Sequence, residues 1–144
     1  MFRFKDKRKK QELGVEIDLI NEEIGRSKRF GFSLGVLVVE LNDSVPRGLS
    51  KVMPGKTISF HVLKRYIRVY DKVVGPFLRR YYIILPQTDK NGVNAVKQRV
   101  YKLAEEHKWG DVLIGTAVYP EDGKTPKALL DKAIVSALDS DSSH

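Results

Sequence analysis

The stretch Arg68-Val-Tyr-Asp71-Lys-Val-Val-Gly75-Pro-Phe-Leu-Arg-Arg80-Tyr-Tyr-Ile-Ile-Leu-Pro86-Gln-Thr88 decides how the rest of the chain is read. Two runs rich in β-branched and aromatic residues, Val69 to Val74 and Arg79 to Leu85, flank Gly75-Pro76-Phe77-Leu78. Such runs suit a pleated, half-buried surface, and the Gly-Pro pair is turn chemistry, so the segment predicts a β-hairpin. Upstream, Ser33 to Leu41 is dense in Val and Leu and is bounded by Gly31 and Asn42-Asp43, which predicts a buried strand. Downstream, Val112, Ile114, Thr116 and Val118 alternate with Leu113, Gly115, Ala117 and Tyr119, which predicts another.

Helical spacing fills the intervals between these strands. Leu13, Ile17, Ile20 and Ile24 predict a helix from about Lys9 to Lys28. Thr57 can cap a helix carrying Ile58, Val62, Leu63 and Tyr66. Val93, Val96, Val100 and Leu103 form the apolar stripe of a third helix. Thr125-Pro126 is a cap followed by a first-turn proline, opening a last helix through Leu129, Leu130, Ala133 and Ala137. Asp43 to Lys56 holds Pro46, Gly48, Pro54 and Gly55 without periodicity and reads as a loop. The order helix, strand, helix, hairpin, helix, strand, helix predicts an α+β fold. Its sheet is antiparallel-rich with ferredoxin-like connectivity, and its helices pack mainly on one face.

At 144 residues the chain holds one domain, placed at 11–138 between a basic tail at 1–10 and a C-terminal tail at 139–144 that should fray. Apolar residues at 42% and charged residues at 31% describe a soluble globular protein. The absence of Cys excludes disulfide scaffolds, thiolate catalysis and cysteine metal sites. No apolar run reaches membrane-span length and the start lacks a signal-peptide core, so a cytoplasmic location is expected.

The net charge of +8 concentrates at the start: residues 1–10 carry +5, leaving +3 on the rest. A short basic tail on a nearly balanced domain does not make a nucleic-acid interface, and no nucleic-acid partner is expected. It reads as a solvated lead-in, with a membrane-surface contact through Phe2 and Phe4 as the weaker alternative.

Little catalytic chemistry is visible. His61, His107 and His144 lack metal-ligand spacing, so no metal site is expected. No nucleophile motif, phosphate-cradling glycine loop or carboxylate pair is present, so no enzymatic activity follows from the residues. Lys28-Arg29-Phe30-Gly31-Phe32 echoes the aromatic signature of RNA-recognition strands, but a helix precedes it and the companion strand is missing. It reads instead as a helix-to-strand corner with Phe30 and Phe32 in the core.

The segment 68–88 is similar to the centre of GGDEF domains, the diguanylate cyclase family. There an RxxD motif leads into a strand, the GGDEF hairpin, and a strand ending in a Leu-Pro-x-Thr-like sequence. Ile114-Gly115-Thr-Ala-Val-Tyr-Pro120-Glu-Asp-Gly123 resembles the family's SIGVA-x-YP-x-DG strand, and Leu129-Leu130 with Ala133 its terminal helix. The resemblance runs in family order from about residue 9 to 138. It implies a nucleotidyl-cyclase-like fold, and in active members the joining of two GTP molecules into cyclic di-GMP by metal ions and an antiparallel dimer.

The resemblance also marks where this chain departs. Phe77, Leu78, Arg79, Arg80 and Tyr81 stand where Gly-Gly-Asp-Glu-Phe is expected, keeping only the last aromatic. Glycines let a nucleotide approach the backbone, and acids hold Mg²⁺; Phe77, Leu78, Arg79 and Arg80 do neither. Glu40 matches the first metal carboxylate, but a single carboxylate is insufficient for two-metal chemistry. The nucleotide-recognising pattern after it and the terminal-helix phosphate lysine are missing. No cyclase activity and no metal are therefore expected.

The family's inhibitory cyclic di-GMP site fares differently. Its RxxD motif is matched by Arg68 and Asp71, and its helix arginine by Arg99, which the stripe of Val96 and Val100 leaves on the helix flank. The resemblance implies cyclic di-GMP as ligand, with Arg68 and Arg99 on guanine and phosphate and Asp71 on the guanine Watson–Crick edge. A second copy of the domain could complete the site. The other readings are a plain Arg68–Asp71 pair across a turn, a solvated Arg99, and a protein-interaction module using the Phe77-Leu78 tip. Arg79 and Arg80 read as an anion contact or as a solvated hairpin edge.

Overall fold

The computed structural model describes the backbone of residues 2–41, 60–77 and 80–142, and the side chains of 14–40, 62–75 and 80–138. Helix α1 spans Phe2–Phe30, strand β1 Leu34–Leu41 and helix α2 Phe60–Arg65. Strands β2 and β3 span Lys72–Phe77 and Arg80–Pro86, helix α3 Lys90–Glu106, strand β4 Val112–Tyr119 and helix α4 Pro126–Ser142. The sheet order is β2-β3-β1-β4, with every neighbouring pair antiparallel. Strand β3 therefore lies between β1 and β2, which α2 connects. This is the split βαβ arrangement of the ferredoxin-like fold expected from the element order.

Helices cover both faces of the sheet, not mainly one. Along β1, Leu37 and Val39 pack with Leu63 of α2 and with Val93, Val100 and Leu103 of α3. Val36 and Val38 point the other way, to Ile20 and Ile24 of α1 and Leu129 and Ala133 of α4. Successive strand residues face opposite sides, so an unbroken apolar run needs a helical layer on each. Each fully buried Ile, Leu or Val side chain contributes about 1.5–3 kcal/mol, and leaving either face wet would forfeit several of these. Close approach of α4 depends on Gly115, where an added Cβ would lie 1.6 Å from the Ala133 carbonyl oxygen.

Several boundaries move. Helix α1 begins at Phe2, so residues 2–10 are helical backbone, and α4 continues through Ser142 into the stretch expected to fray. Strand β2 begins at Lys72, because Arg68 to Asp71 form a turn in which the Asp71 N–H donates to the Arg68 carbonyl at 3.0 Å. Gly75 and Pro76 lie within β2, where the register shifts between Val74 and Phe77. Proline lacks an N–H for the ladder and is tolerated on an edge strand at such a bulge. Phe77 pairs with Arg80 of β3; Leu78 and Arg79, the expected loop at 43–56 and the Thr57 cap lie outside the described residues. At the opposite edge, two N–H groups of β4 are occupied by side chains. Thr116 N–H donates to Ser136 Oγ at 3.3 Å and Val118 N–H to Asp122 Oδ2 at 2.9 Å. No helix among the described residues is long and apolar enough to cross a membrane.

The buried face of α1 is more polar than its apolar spacing indicates. Ile17 is 40% exposed, whereas Glu16, Glu23 and Ser27 are buried beside Ile20 and Ile24. Glu16 Oε2 has no hydrogen-bond partner, and burial raises its pKa above the ordinary 4.5. A raised carboxyl pKa means that the folded state binds the proton more tightly. Stability is then full below about pH 4.5 and declines as the pH rises through the raised value. Glu16→Gln should remove that decline and raise the melting temperature at pH 7 by roughly 4 °C. Thermal melts from pH 4 to pH 8 check this; a variant that melts lower at pH 7 would show the carboxylate to be stabilising.

Candidate functional site

The Tyr66–Asp71 turn and the end of β3 build a locked arginine. The Asp71 carboxylate, 2% exposed as a side chain, accepts the Arg68 backbone N–H at 2.9 Å on Oδ2. The same carboxylate accepts Arg68 Nε at 3.0 Å and Nη2 at 2.9 Å. Nη2 also donates to the Pro86 carbonyl at 3.0 Å and to Thr88 Oγ1, and the Thr88 hydroxyl donates to Pro86 at 2.9 Å. Thr88 is tied to the start of β1 by its N–H donating to the Ser33 carbonyl at 3.2 Å. The Tyr70 ring lies 4.4 Å from the guanidinium carbon. The hydrogen bond to Asp71 is the largest cause raising the Arg68 pKa beyond its ordinary value, so the cation is permanent.

This geometry sorts the expected site residues. Arg68 and Asp71 are brought together, but Asp71 is spent on Arg68 and buried; it holds the guanidinium and presents no edge to solvent. Arg68 keeps 41% of its side chain exposed. Its bonds to Asp71, Pro86 and Thr88 take Nε and Nη2, and the Tyr70 side chain lies against the same guanidinium. Arg99 lies on the other side of the same turn, where Nη1 donates to the Tyr66 carbonyl at 3.1 Å. Arg99 lines a separate cleft of about 430 Å³ with Tyr66, Gln98, Lys102 and Glu106.

At the opposite end of β1 and β3, Glu40 is register partner to Arg80, and Arg80 Nε lies 3.5 Å from Glu40 Oε1. The Arg80 charge is directed at the one carboxylate expected to meet metal. Tyr81, the aromatic retained from the box, is buried at 4% exposure in the α3-side core, and burial raises its pKa. Phe77 is placed as backbone only, while Leu78 and Arg79 lie outside the described residues. No group of three or more potential metal-ligating His, Cys, Asp or Glu side chains occurs among the described residues. His107 closes α3 and stacks on Trp109 with ring centroids 5.6 Å apart.

Phe30 and Phe32 depart from expectation. They are 60% and 42% exposed rather than in the core. The buried positions of α1 end at Ser27, and Gly31, at φ +74, turns the chain out of the helix with its N–H bonded to the Ser27 carbonyl at 2.8 Å. This turn leaves both rings outside, with centroids 6.2 Å apart. Sequence reading also gave no role to Thr88 or the Pro86 carbonyl, although the Leu-Pro-x-Thr likeness carried both.

No protein-family model and no curated protein matches the sequence. Solved structures do. The GGDEF domain of FimX from Pseudomonas aeruginosa aligns with a TM-score of 0.69 at 14% identity, over 88% of this chain and 86% of that one. The active GGEEF domain of a diguanylate cyclase from Vibrio cholerae gives 0.68 at 9% identity, with 85% of each chain covered. The fold is that of GGDEF domains. A diguanylate cyclase protein from Thermotoga maritima agrees, at a TM-score of 0.62 and 20% identity over 85% of this chain and 88% of that one. In this GGDEF-like domain the locked Arg68 and the Glu40–Arg80 pair sit at opposite ends of the two central strands, about 20 Å apart at strand rise.

Removing the Asp71 carboxylate leaves the Arg68 backbone N–H and guanidinium without their main acceptor. Asp71→Ala should cost about 1–3 kcal/mol in urea unfolding, and Arg99→Ala less than about 0.5 kcal/mol. Equal, small effects would show that the carboxylate does not hold the turn.

Proposed function

We propose that this GGDEF-like domain is catalytically inactive and serves as a receptor for cyclic di-GMP, with Arg68 as its principal contact. The observation that carries the reading is the state of Arg68: a permanent cation, oriented by a buried carboxylate, a backbone carbonyl and a threonine hydroxyl, yet 41% exposed. A guanidinium already fixed in place loses little rotamer freedom on binding. Its remaining N–H groups and planar face suit a phosphate oxygen or a purine. The role of Asp71 is revised from reading guanine to positioning Arg68. Arg99 flanks the same turn, so a ligand lying across Tyr66–Tyr70 would meet both arginines.

Inactivity is supported by the other end of the sheet. Arg80 places a positive charge beside Glu40, which opposes Mg²⁺ binding to that carboxylate by repulsion. The glycines and acids of the box are absent from the sequence.

A second reading, a nucleotide-independent protein-interaction module, was expected to rest on the Phe77-Leu78 tip, whose side chains lie outside the described residues. The observation that favours it is the exposed turn itself: Val69 is fully exposed between the half-exposed Tyr66 and Tyr70. SiaD, a diguanylate cyclase from Pseudomonas aeruginosa with a TM-score of 0.65 and 19% identity over 88% of this chain and 53% of that one, is solved in complex with its activator SiaC. A protein or second-copy contact at this turn is the corresponding proposal here.

Calorimetric titration with cyclic di-GMP should give saturable binding that Arg68→Ala weakens at least about tenfold, the loss of a good charged pair. Incubation with GTP and Mg²⁺ should give no cyclic di-GMP. Full-strength binding by Arg68→Ala removes this site, and turnover of GTP overturns the inactive reading.

A further inference from the structure

Two adjoining grooves meet beside Arg68, and neither is explained by the arginine lock. One, of about 300 Å³, runs between the end of α1 and the end of β3 and includes Phe30, Phe32, Pro86 and Gln87. The other, of about 330 Å³, includes Phe32, Gln87, Arg68, Thr88 and Asp89. Phe32 and Gln87 belong to both, so the grooves adjoin as one trough, with the two rings beside the Glu23–Arg26 pair at one end and Arg68 beside Asp89 at the other.

We propose that this trough seats a purine base: the base stacks on Phe32, the Gln87 amide meets its polar edge, and the attached phosphate reaches the exposed part of the Arg68 guanidinium. The inference deepens the receptor reading and rests on it for the identity of the ligand. Two features support it. Phe32 is 42% exposed although large and aromatic, and the Gly31 turn holds it at the trough wall rather than letting it fold into the core. An aromatic ring of this kind gains most by stacking on another flat π-system.

Gln87 is held at φ +53, a left-handed conformation uncommon for any residue with a Cβ. Its side chain is exposed at the junction of the two grooves. A glycine would satisfy that backbone more easily, and strain of this kind collects at binding sites. The amide carries both a donor pair and an acceptor, so it can match a purine edge with two bonds.

The test compares cyclic di-GMP titrations of the wild type, Arg68→Ala, Phe32→Ala and Gln87→Gly. Gln87→Gly removes the amide while easing the backbone, and its melting temperature should not fall. Phe32→Ala is expected to weaken binding about tenfold, and Gln87→Gly about fivefold. Ligand-induced shifts in a ¹H–¹⁵N spectrum should include the amides of Phe32, Gln87 and Thr88. If the wild type binds, Arg68→Ala abolishes binding, and both trough variants bind as the wild type does, the base seat is wrong while the receptor reading stands. Absence of wild-type binding overturns both.

Discussion

A single buried carboxylate organises the end of this molecule where Arg68 is held partly exposed. Asp71 accepts three bonds from Arg68, two from the guanidinium and one from the backbone, and so closes the turn that feeds β2 into the sheet. A carboxylate at 2% exposure is costly to desolvate unless paired and hydrogen-bonded, and here the local turn supplies the partner. The consequence spreads beyond four residues. Through Pro86 and Thr88 the same guanidinium is tied to the end of β3, and through Ser33 to the start of β1. Edge strand β2, the central strands and the first turn of α3 meet at that knot.

The two ends of the central strands carry opposite electrostatic solutions. At the Pro86 end an arginine is paired yet still presents part of its fork outward. At the Glu40 end an arginine faces an acid across the strand pair. Both pairs are about one-third exposed or more on the arginine side, so neither contributes much to stability by Coulomb attraction alone.

Close packing sets these positions. Gly115 admits the α4 backbone against β4, and Gly35 stands opposite Val93, whose Cγ2 would lie 2.3 Å from an added Cβ. Helices held this near the sheet on both faces leave little room for the central strands to slide. The register that places Glu40 beside Arg80 and Leu34 beside Pro86 is therefore fixed by the core, far from either polar pair.

Periodicity determined the element order and the α+β class, whereas the Gly75-Pro76 pair expected to turn the hairpin lies inside β2. Periodic signals are local and each element is long enough to display its period. The family likeness singled out Arg68, Asp71, Arg99 and Glu40 as candidates. Tertiary structure decided what each of them touches. Only the fold could spend Asp71 on Arg68, turn Arg80 toward Glu40 across a strand pair, and part Arg99 from Arg68 by one turn of chain. Only the fold could leave Phe30 and Phe32 outside, since their fate hung on where α1 runs past the sheet. Side-chain contacts between distant residues depend on register and on which helix covers which face, and no local pattern carries that information.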